Sequence, residues 1–223
     1  MRLRVITALL AGLVLSTSSM AREAYPEVTE EGLEKIRDTG TTLVYAKPGV
    51  DLGVYEKVRL LDAGVAFRKN WQRDQNRFDP FKVDKRDMER MRTELAGLFR
   101  EVFTEKLTAA GHELVAEADG DVLIVRPAIV NLDVTAPDVN SPSRSVQLAE
   151  SAGQMTLYVE LYDSVTGDIL VKALDHKADR RRGNFHWQTR GANRQAAEAI
   201  LNTWADALVE ALGAAQDAVT GEE

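Results

Sequence analysis

The spacing of apolar residues changes twice along the chain, and this change constrains the fold more than any other feature of the sequence. Between Asp84 and Gly111 apolar residues recur every three or four positions, which is typical of one face of an α-helix. From His112 onward the spacing falls to two, as in β-strands, and a helical spacing returns over residues 191–212. The pattern predicts two long amphipathic helices separated by a block of strands.

The ends of the first helix carry their own signals. Asp84 has a carboxylate that can accept hydrogen bonds from the free amides of a helix start, and Asp87 falls in the positive first turn. Gly111 suits the left-handed position just past a helix end. In the second helix we expect Gly213 to weaken the last turns.

Six segments have the alternation and the composition of β-strands. They are residues 41–46, 58–67, 112–117, 121–135, 155–162 and 168–177. In the second segment the alternation changes phase near Leu60, which indicates a bulge or a strand buried on both faces. Because strands follow one another in runs, we predict an α+β fold with about six mostly antiparallel strands in one sheet. The two long amphipathic helices would pack on one face of that sheet.

The first 21 residues have the features of a signal peptide. Arg2 and Arg4 precede an apolar run that is too short to span a membrane, and small residues allow cleavage after Ala21. The alternative is an uncleaved membrane anchor. The remainder predicts a polar N-terminal arm at 22–40 with a short helix over 29–37, a single α+β domain at 41–213, and a frayed C-terminal tail at 214–223.

The chain contains no cysteine, so it can form neither a disulfide nor a thioether-linked lipid anchor. Together with the signal peptide, this predicts a soluble periplasmic protein without a transmembrane segment after cleavage. Core packing alone must then stabilise the fold, and a chain of about 200 residues can supply a core of that size.

The sequence offers little sign of catalysis or of a cofactor. The three histidines are His112, His176 and His186, and the neighbouring Asp175 would point to the opposite face of a strand from His176. We therefore predict no metal site. Motifs for a serine nucleophile or for phosphate binding are missing, so we predict no catalytic residue and no cofactor. Asp163 and Asp168 are interpreted as turn residues.

Positive charge is concentrated in two segments of a chain whose formal net charge is −7. Residues 66–92 carry a net charge of +4, and residues 177–194 carry a net charge of +5. Each segment begins at a strand end, continues as a loop with arginines and aromatic residues, and leads into a helix. The candidate binding residues are Arg68, Trp71, Arg73, Arg180, Arg181, Arg182 and Trp187.

Arginine beside an aromatic ring suits contact with an anion together with stacking on a flat surface. Our hypothesis is that the two loops share one end of the sheet and bind an anionic envelope component, such as lipid phosphate, a polyanionic glycan or an acidic protein patch. Loops more than about 20 Å apart, well beyond a Debye length, would rule this out. The alternative is that the loops are solvated connectors whose aromatic residues fill the core. We expect no nucleic-acid partner, because the exported chain is acidic.

Several stretches of the chain have a distinctive sequence: 43–52, 55–58, 65–67 with Trp71, and above all 160–170 running into Asp175, followed by the helix that contains Trp204. Together they resemble a bacterial family of exported envelope proteins, the domain of unknown function 3313. The resemblance implies an exported protein. Members are often lipoproteins, but without cysteine this chain lacks the residue that such an anchor requires.

Together these features predict an exported periplasmic binding or accessory protein of the bacterial cell envelope, without catalytic activity. One alternative is a hydrolase that processes an envelope glycan or ester with His176 or His186 and a nearby carboxylate. Another is self-association through an exposed strand edge. The sequence leaves the partner, the pathway and the oligomeric state open.

Overall fold

A computed structural model describes residues 25–77, 82–135, 147–149, 153–178, 186–188 and 190–220. The signal peptide predicted at 1–21 therefore lies outside the described residues. Within the described ranges the chain forms ten strands and three helices. In chain order they are β1 (Glu34–Asp38), β2 (Thr42–Ala46), β3 (Lys57–Leu60), β4 (Gly64–Phe67), α1 (Trp71–Gln75), α2 (Lys85–Ala109), β5 (Glu113–Leu114), β6 (Val122–Val134), β7 (Gln147–Ala149), β8 (Gly153–Asp163), β9 (Ile169–Ala178), β10 (His186–Gln188) and α3 (Arg190–Thr220).

Eight strands form the main sheet, in the order β1-β2-β9-β8-β6-β3-β5, and β4 also pairs with β6. The strands β7 and β10 form a separate antiparallel pair. The α+β fold is thus confirmed in outline. The prediction of about six strands was too low, and the short helix α1 was not predicted.

The predicted strand 58–67 is two strands that lie one after the other along the same edge of β6. β3 pairs in parallel with residues 122–125, and β4 pairs in parallel with residues 128–132. Pro127, which has no backbone amide to donate, lies between these two stretches, where no ladder bond is needed. The change of phase near Leu60 therefore marks a break between strands.

The N-terminal arm contains a strand where the sequence predicted a helix over 29–37. Gly32 has φ +81°, a conformation that ends any helix started at Thr29, and the backbone amide of Leu33 donates to Thr29 Oγ1. β1 then pairs antiparallel with β2. Leu33 is buried against Leu43 and Tyr45, and this tertiary contact outweighs the local helical pattern.

The predicted helix start at Asp84 is confirmed. Its Oδ1 accepts hydrogen bonds from the amides of Arg86 and Asp87 at 2.7 and 2.9 Å, and Asp87 Oδ2 accepts one from the amide of Asp84 at 3.1 Å. This reciprocal arrangement is a capping box. At the other end Gly111 has φ +93°. The second helix, α3, continues past Gly213 to Thr220, further than the sequence predicted.

Both long helices pack on one face of the sheet in a single apolar core. That face of β6 supplies Leu123, Val125 and Ile129, all fully buried. One polar contact joins α3 to the sheet within this core: Trp204 Nε1 donates to Asp175 Oδ2 at 2.7 Å. None of the helices in the described part of the chain is long and apolar enough to cross a membrane.

Candidate functional site

The two basic segments leave the sheet at the same end. β4 finishes at Phe67, which pairs with Leu132 of β6, and β9 finishes at Ala178, which pairs with Gln154 of β8. Gln154 in turn pairs with Asp133 of β6. The two strand ends are therefore separated by three strand spacings, about 14 Å. We call this end of the sheet, marked by Phe67 and Ala178, the basic end.

Arg68 is the first side chain of the basic end, and two carboxylates hold it in place. Its Nε donates to Asp133 Oδ2 and its Nη1 donates to Asp74 Oδ2, both at 2.7 Å. Its hydrogen bonds to Asp74 and Asp133 raise the pKa of Arg68, and the bond from Arg68 lowers the pKa of Asp74. Arg68 thus links the end of β6 to α1, and its charge is balanced within the fold.

Trp71 lies inside the fold, although the sequence placed it among candidate surface residues. Only 1% of its surface is exposed. Its ring stacks on Phe67 with centroids 4.3 Å apart, and its Nε1 donates to the carbonyl of Val134 at 3.2 Å. Since a partner at the surface cannot reach this ring, we correct its placement: Trp71 packs α1 against the end of β6.

Arg73 is an exposed cation of the first segment. Its side chain is 73% exposed and forms one ion pair, at 3.1 Å, with Asp74. The neighbouring Lys69 is also exposed. Arg77, further along the loop, is exposed as well, so all three side chains are placed where a partner can contact them.

The second segment falls partly outside the described residues. Arg180, Arg181 and Arg182 lie there, so their predicted role stays a prediction. Trp187 belongs to β10, where its backbone pairs with Leu148 of β7. The backbone of Trp187 therefore lies in a two-stranded antiparallel ribbon that precedes α3.

An apolar cavity of about 320 Å³ lies at the basic end, between the two long helices and the sheet. Its apolar walls come from α2, β6 and β8: Met91, Leu95, Leu98, Leu132, Val134 and Met155. Asn193 and Ala197 of α3 form the remaining wall. Two charged residues also line it, Glu94 and Arg194, whose side chains are 54% and 53% exposed. This cavity could not be predicted from the sequence, because its apolar lining residues have the pattern of ordinary core residues in their own helices and strands.

A polar cluster lies on the sheet face away from the helices. Glu160 accepts hydrogen bonds from the hydroxyls of Tyr158 and Tyr162 at 2.5 and 2.7 Å. Burial, followed by the bond to Glu160, raises the pKa of Tyr158, so its hydroxyl stays protonated. Arg126 reaches the same carboxylate at 3.5 Å. These groups satisfy one another within the sheet.

The histidines were the basis of the alternative enzyme hypothesis. His176 Nδ1 lies 3.1 Å from Thr156 Oγ1, while the adjacent Asp175 faces Trp204 on the other side of the sheet. His112 is buried, and the side chain of His186 lies outside the described residues. In the part of the chain that the structure describes, no group of three or more potential ligands could hold a metal ion.

The hairpin aspartate has the turn role that its sequence predicted. Asp163 Oδ1 accepts hydrogen bonds from the amides of Val165 and Thr166 at 3.0 and 2.7 Å. The backbone bond from Thr166 is the main cause of the lowered pKa of Asp163, followed by the hydrogen bond from the Tyr55 hydroxyl. The interpretation of Asp163 as a turn residue is confirmed.

The sequence model of one family, described as a protein of unknown function (DUF3313), matches residues 17–208. This confirms the resemblance seen in the sequence. No curated protein matches the chain.

Three solved structures illustrate the structural likenesses. A PelC dodecamer from Paraburkholderia phytofirmans is 10% identical, with 74% of this chain and 95% of that chain covered and a TM-score of 0.36. A minor lipoprotein from Acinetobacter baumannii is 13% identical, with 72% and 94% covered and a TM-score of 0.33. A DUF4136 family protein from Bacteroides thetaiotaomicron is 13% identical, with 77% and 97% covered and a TM-score of 0.35.

Proposed function

Because the chain belongs to the DUF3313 family, whose members share no established activity, we propose its role from the geometry of its own surface. It is an exported binding or accessory protein of the bacterial cell envelope that acts without catalysis. It binds an anionic envelope component at the basic end of the sheet. The observation that carries this proposal is the register that ends β4 and β9 at the same end of the sheet, with β6 and β8 between them.

The distance between the strand ends supports a shared surface. Two segments with net charges of +4 and +5 leave the sheet about 14 Å apart, which is less than two Debye lengths at physiological salt. Their fields therefore overlap at the surface between them. An anionic partner is attracted there even though the protein as a whole is acidic.

The described contacts divide the first segment between structural and binding roles. Arg68 and Trp71 stabilise the fold, so we assign the partner contact to Lys69 and Arg73. From the second segment we assign it to Arg180, Arg181 and Arg182. Guanidinium groups suit this role because each can bind a phosphate or a carboxylate through two hydrogen bonds.

The test is crosslinked recovery of partners from the cell envelope. Wild type is compared with a variant in which Arg180, Arg181 and Arg182 are all changed to Glu. The control carries the same change in net charge elsewhere, with Arg37, Lys47 and Arg126 changed to Glu. We expect the first variant to lose an anionic partner that wild type and the control retain, and raised salt to release that partner from wild type.

Unfolding curves of all three proteins show whether each is folded. If the folded Arg180–Arg182 variant recovers the same partners as wild type, the basic end is not the binding surface.

A further inference from the structure

We propose that the cavity at the basic end binds a single linear hydrocarbon chain of about ten carbons, with the polar head of the ligand held at the surface. The ligand class is a single-chain amphiphile, such as a fatty acid or a lysophospholipid. The inference deepens the proposed function and rests on it for the placement of the head group. The cavity itself is argued from its lining and its volume.

The walls of the cavity match a hydrocarbon chain. They are formed by aliphatic side chains and by two methionines, Met91 and Met155, whose unbranched side chains adapt to ligands of varying shape. Three walls come from elements fixed by the core: α2, α3 and the end of β6. Asn193, Glu94 and Arg194 are the polar residues of the described lining, and the rest of the wall is a large apolar surface that suits an acyl chain.

The volume sets the length of the chain. About 320 Å³ gives room for roughly ten groups the size of a water molecule, which takes up about 30 Å³ in the liquid. The cavity is open to the solvent, so its apolar lining faces water when no ligand is bound. Moving that lining and a hydrocarbon chain out of water together is favourable, and this free energy is what a chain that fills the cavity gains.

The charged lining residues show where the head group lies. Glu94 and Arg194 line the cavity and are about half exposed, so the cavity reaches the solvent between them. Arg194 Nη2 is held 2.9 Å from Glu101 Oε2, which fixes its guanidinium at the surface near the cavity. A chain that enters here buries its tail among Leu95, Leu98 and Leu132 and leaves its head in water beside Arg194.

The experiment measures affinity against chain length with defined probes. Alkyl glucosides of six to twelve carbons have a neutral head, and fatty acids of the same lengths have an anionic one. Both are titrated into protein expressed from the full chain, below their micelle concentrations. We expect the dissociation constant to fall about fourfold per added methylene up to about ten carbons and then to level off. A third titration, with lysophosphatidylglycerol, shows whether the cavity prefers a lysophospholipid to a free fatty acid.

A variant that fills the cavity provides the decisive comparison. Ala197→Phe places a ring in the cavity and should weaken binding of the ten-carbon glucoside at least tenfold. Ala199→Phe, at an exposed position two residues along the same helix, is the matched control and should bind as wild type does. If Ala197→Phe does not fold, Met91→Trp fills the cavity from the opposite wall and serves the same purpose.

The inference is overturned if the glucosides show no saturable binding, if affinity does not depend on chain length, or if the folded filling variant binds as tightly as wild type. Its failure is distinguishable from failure of the proposed function. The neutral glucosides test the cavity alone, whereas changing Arg180, Arg181 and Arg182 to Glu tests the charged surface alone.

Discussion

The two ends of the sheet are stabilised in different ways. At the end formed by the β8–β9 turn, polar groups satisfy one another: Tyr55 Oη donates to Asp163 Oδ2 at 2.8 Å, and Ser164 Oγ donates to the carbonyl of Asp119 at 2.7 Å. We call this the hairpin end. At the basic end, apolar stacking of Trp71 on Phe67 does much of the anchoring, and a cavity lies beside it.

The difference indicates which end of the sheet has room for a ligand. Hydrogen bonds at the hairpin end have fixed geometry and leave little room for a ligand. At the basic end Arg68 is paired with Asp74 and Asp133, but the packing of Trp71 leaves both a cavity and exposed cations such as Arg73. Sites that bind ligands commonly lie in the less tightly organised part of a fold.

The largest effect is expected at the basic end, from Trp71→Ala. Removing a fully buried indole should lower the free energy of unfolding by about 3 to 5 kcal/mol, since the ring packs on Phe67 and the hydrogen bonds of Asp74 and Gln75 do not replace that apolar contact. Denaturant unfolding measures the loss.

Trp71→Phe is the control for that prediction. It keeps a ring to stack on Phe67 but removes the hydrogen bond to the carbonyl of Val134. Gln75 Nε2 also donates to that carbonyl at 3.0 Å, so the carbonyl keeps a partner. The cost should therefore be only about 1 kcal/mol. Equal losses in the two variants would show that the hydrogen bond, and not the stacking, anchors this end.

A smaller effect is expected at the hairpin end, from Asp163→Ala. The change removes a carboxylate that accepts bonds from two amides and from the Tyr55 hydroxyl, and it should cost about 2 to 3 kcal/mol. Asp168→Ala is the matched control. It removes one exposed ion pair with Lys47 and should cost less than about 1 kcal/mol.

The contribution of Asp163 should depend on pH. Its pKa is lowered in the folded protein, so the stability it provides is fully present above the unfolded value of about 3.9 and is lost as the pH falls through the folded value. The difference in stability between wild type and Asp163→Asn should therefore be constant near pH 6 and shrink below about pH 4. Unfolding curves across this range measure it. A difference that stays constant into acid would mean that the hydrogen bonds do not depend on the charge.

Local chemistry explains which parts of this fold could be predicted from the sequence. The start of α2 at Asp84 and the turn at Asp163 depend on residues within three or four positions, so their signals are complete in the sequence. The strand β1 could not be predicted, because the burial of Leu33 under Leu43 and Tyr45 decides it, and that contact joins distant residues.

The candidate site also has some parts that could be predicted from the sequence and others that could not. Charge clustering is visible in the sequence, and the register shows that both clusters begin at one end of the sheet. The cavity could not be predicted, because α2, α3, β6 and β8 each supply only part of its wall. Trp71 could not be assigned either, since an aromatic residue in a basic loop has the same sequence signature whether it is buried or exposed.

The smallest effects should separate two arginines of the basic end that look equivalent in the sequence. Arg68→Ala breaks bonds to two aspartates and leaves Asp133, at the end of β6, without its cation, so it should cost about 1 to 2 kcal/mol. Arg73→Ala removes one exposed pair and should change stability by less than about 0.5 kcal/mol. Denaturant unfolding of both variants, paired with the partner-recovery assay, distinguishes the roles.

Because Arg73 is assigned to the partner and Arg68 to the fold, Arg73→Glu should weaken partner recovery while the protein keeps its stability. If Arg73→Ala proves as destabilising as Arg68→Ala, Arg73 serves the fold as Arg68 does, and its assignment to the partner is wrong.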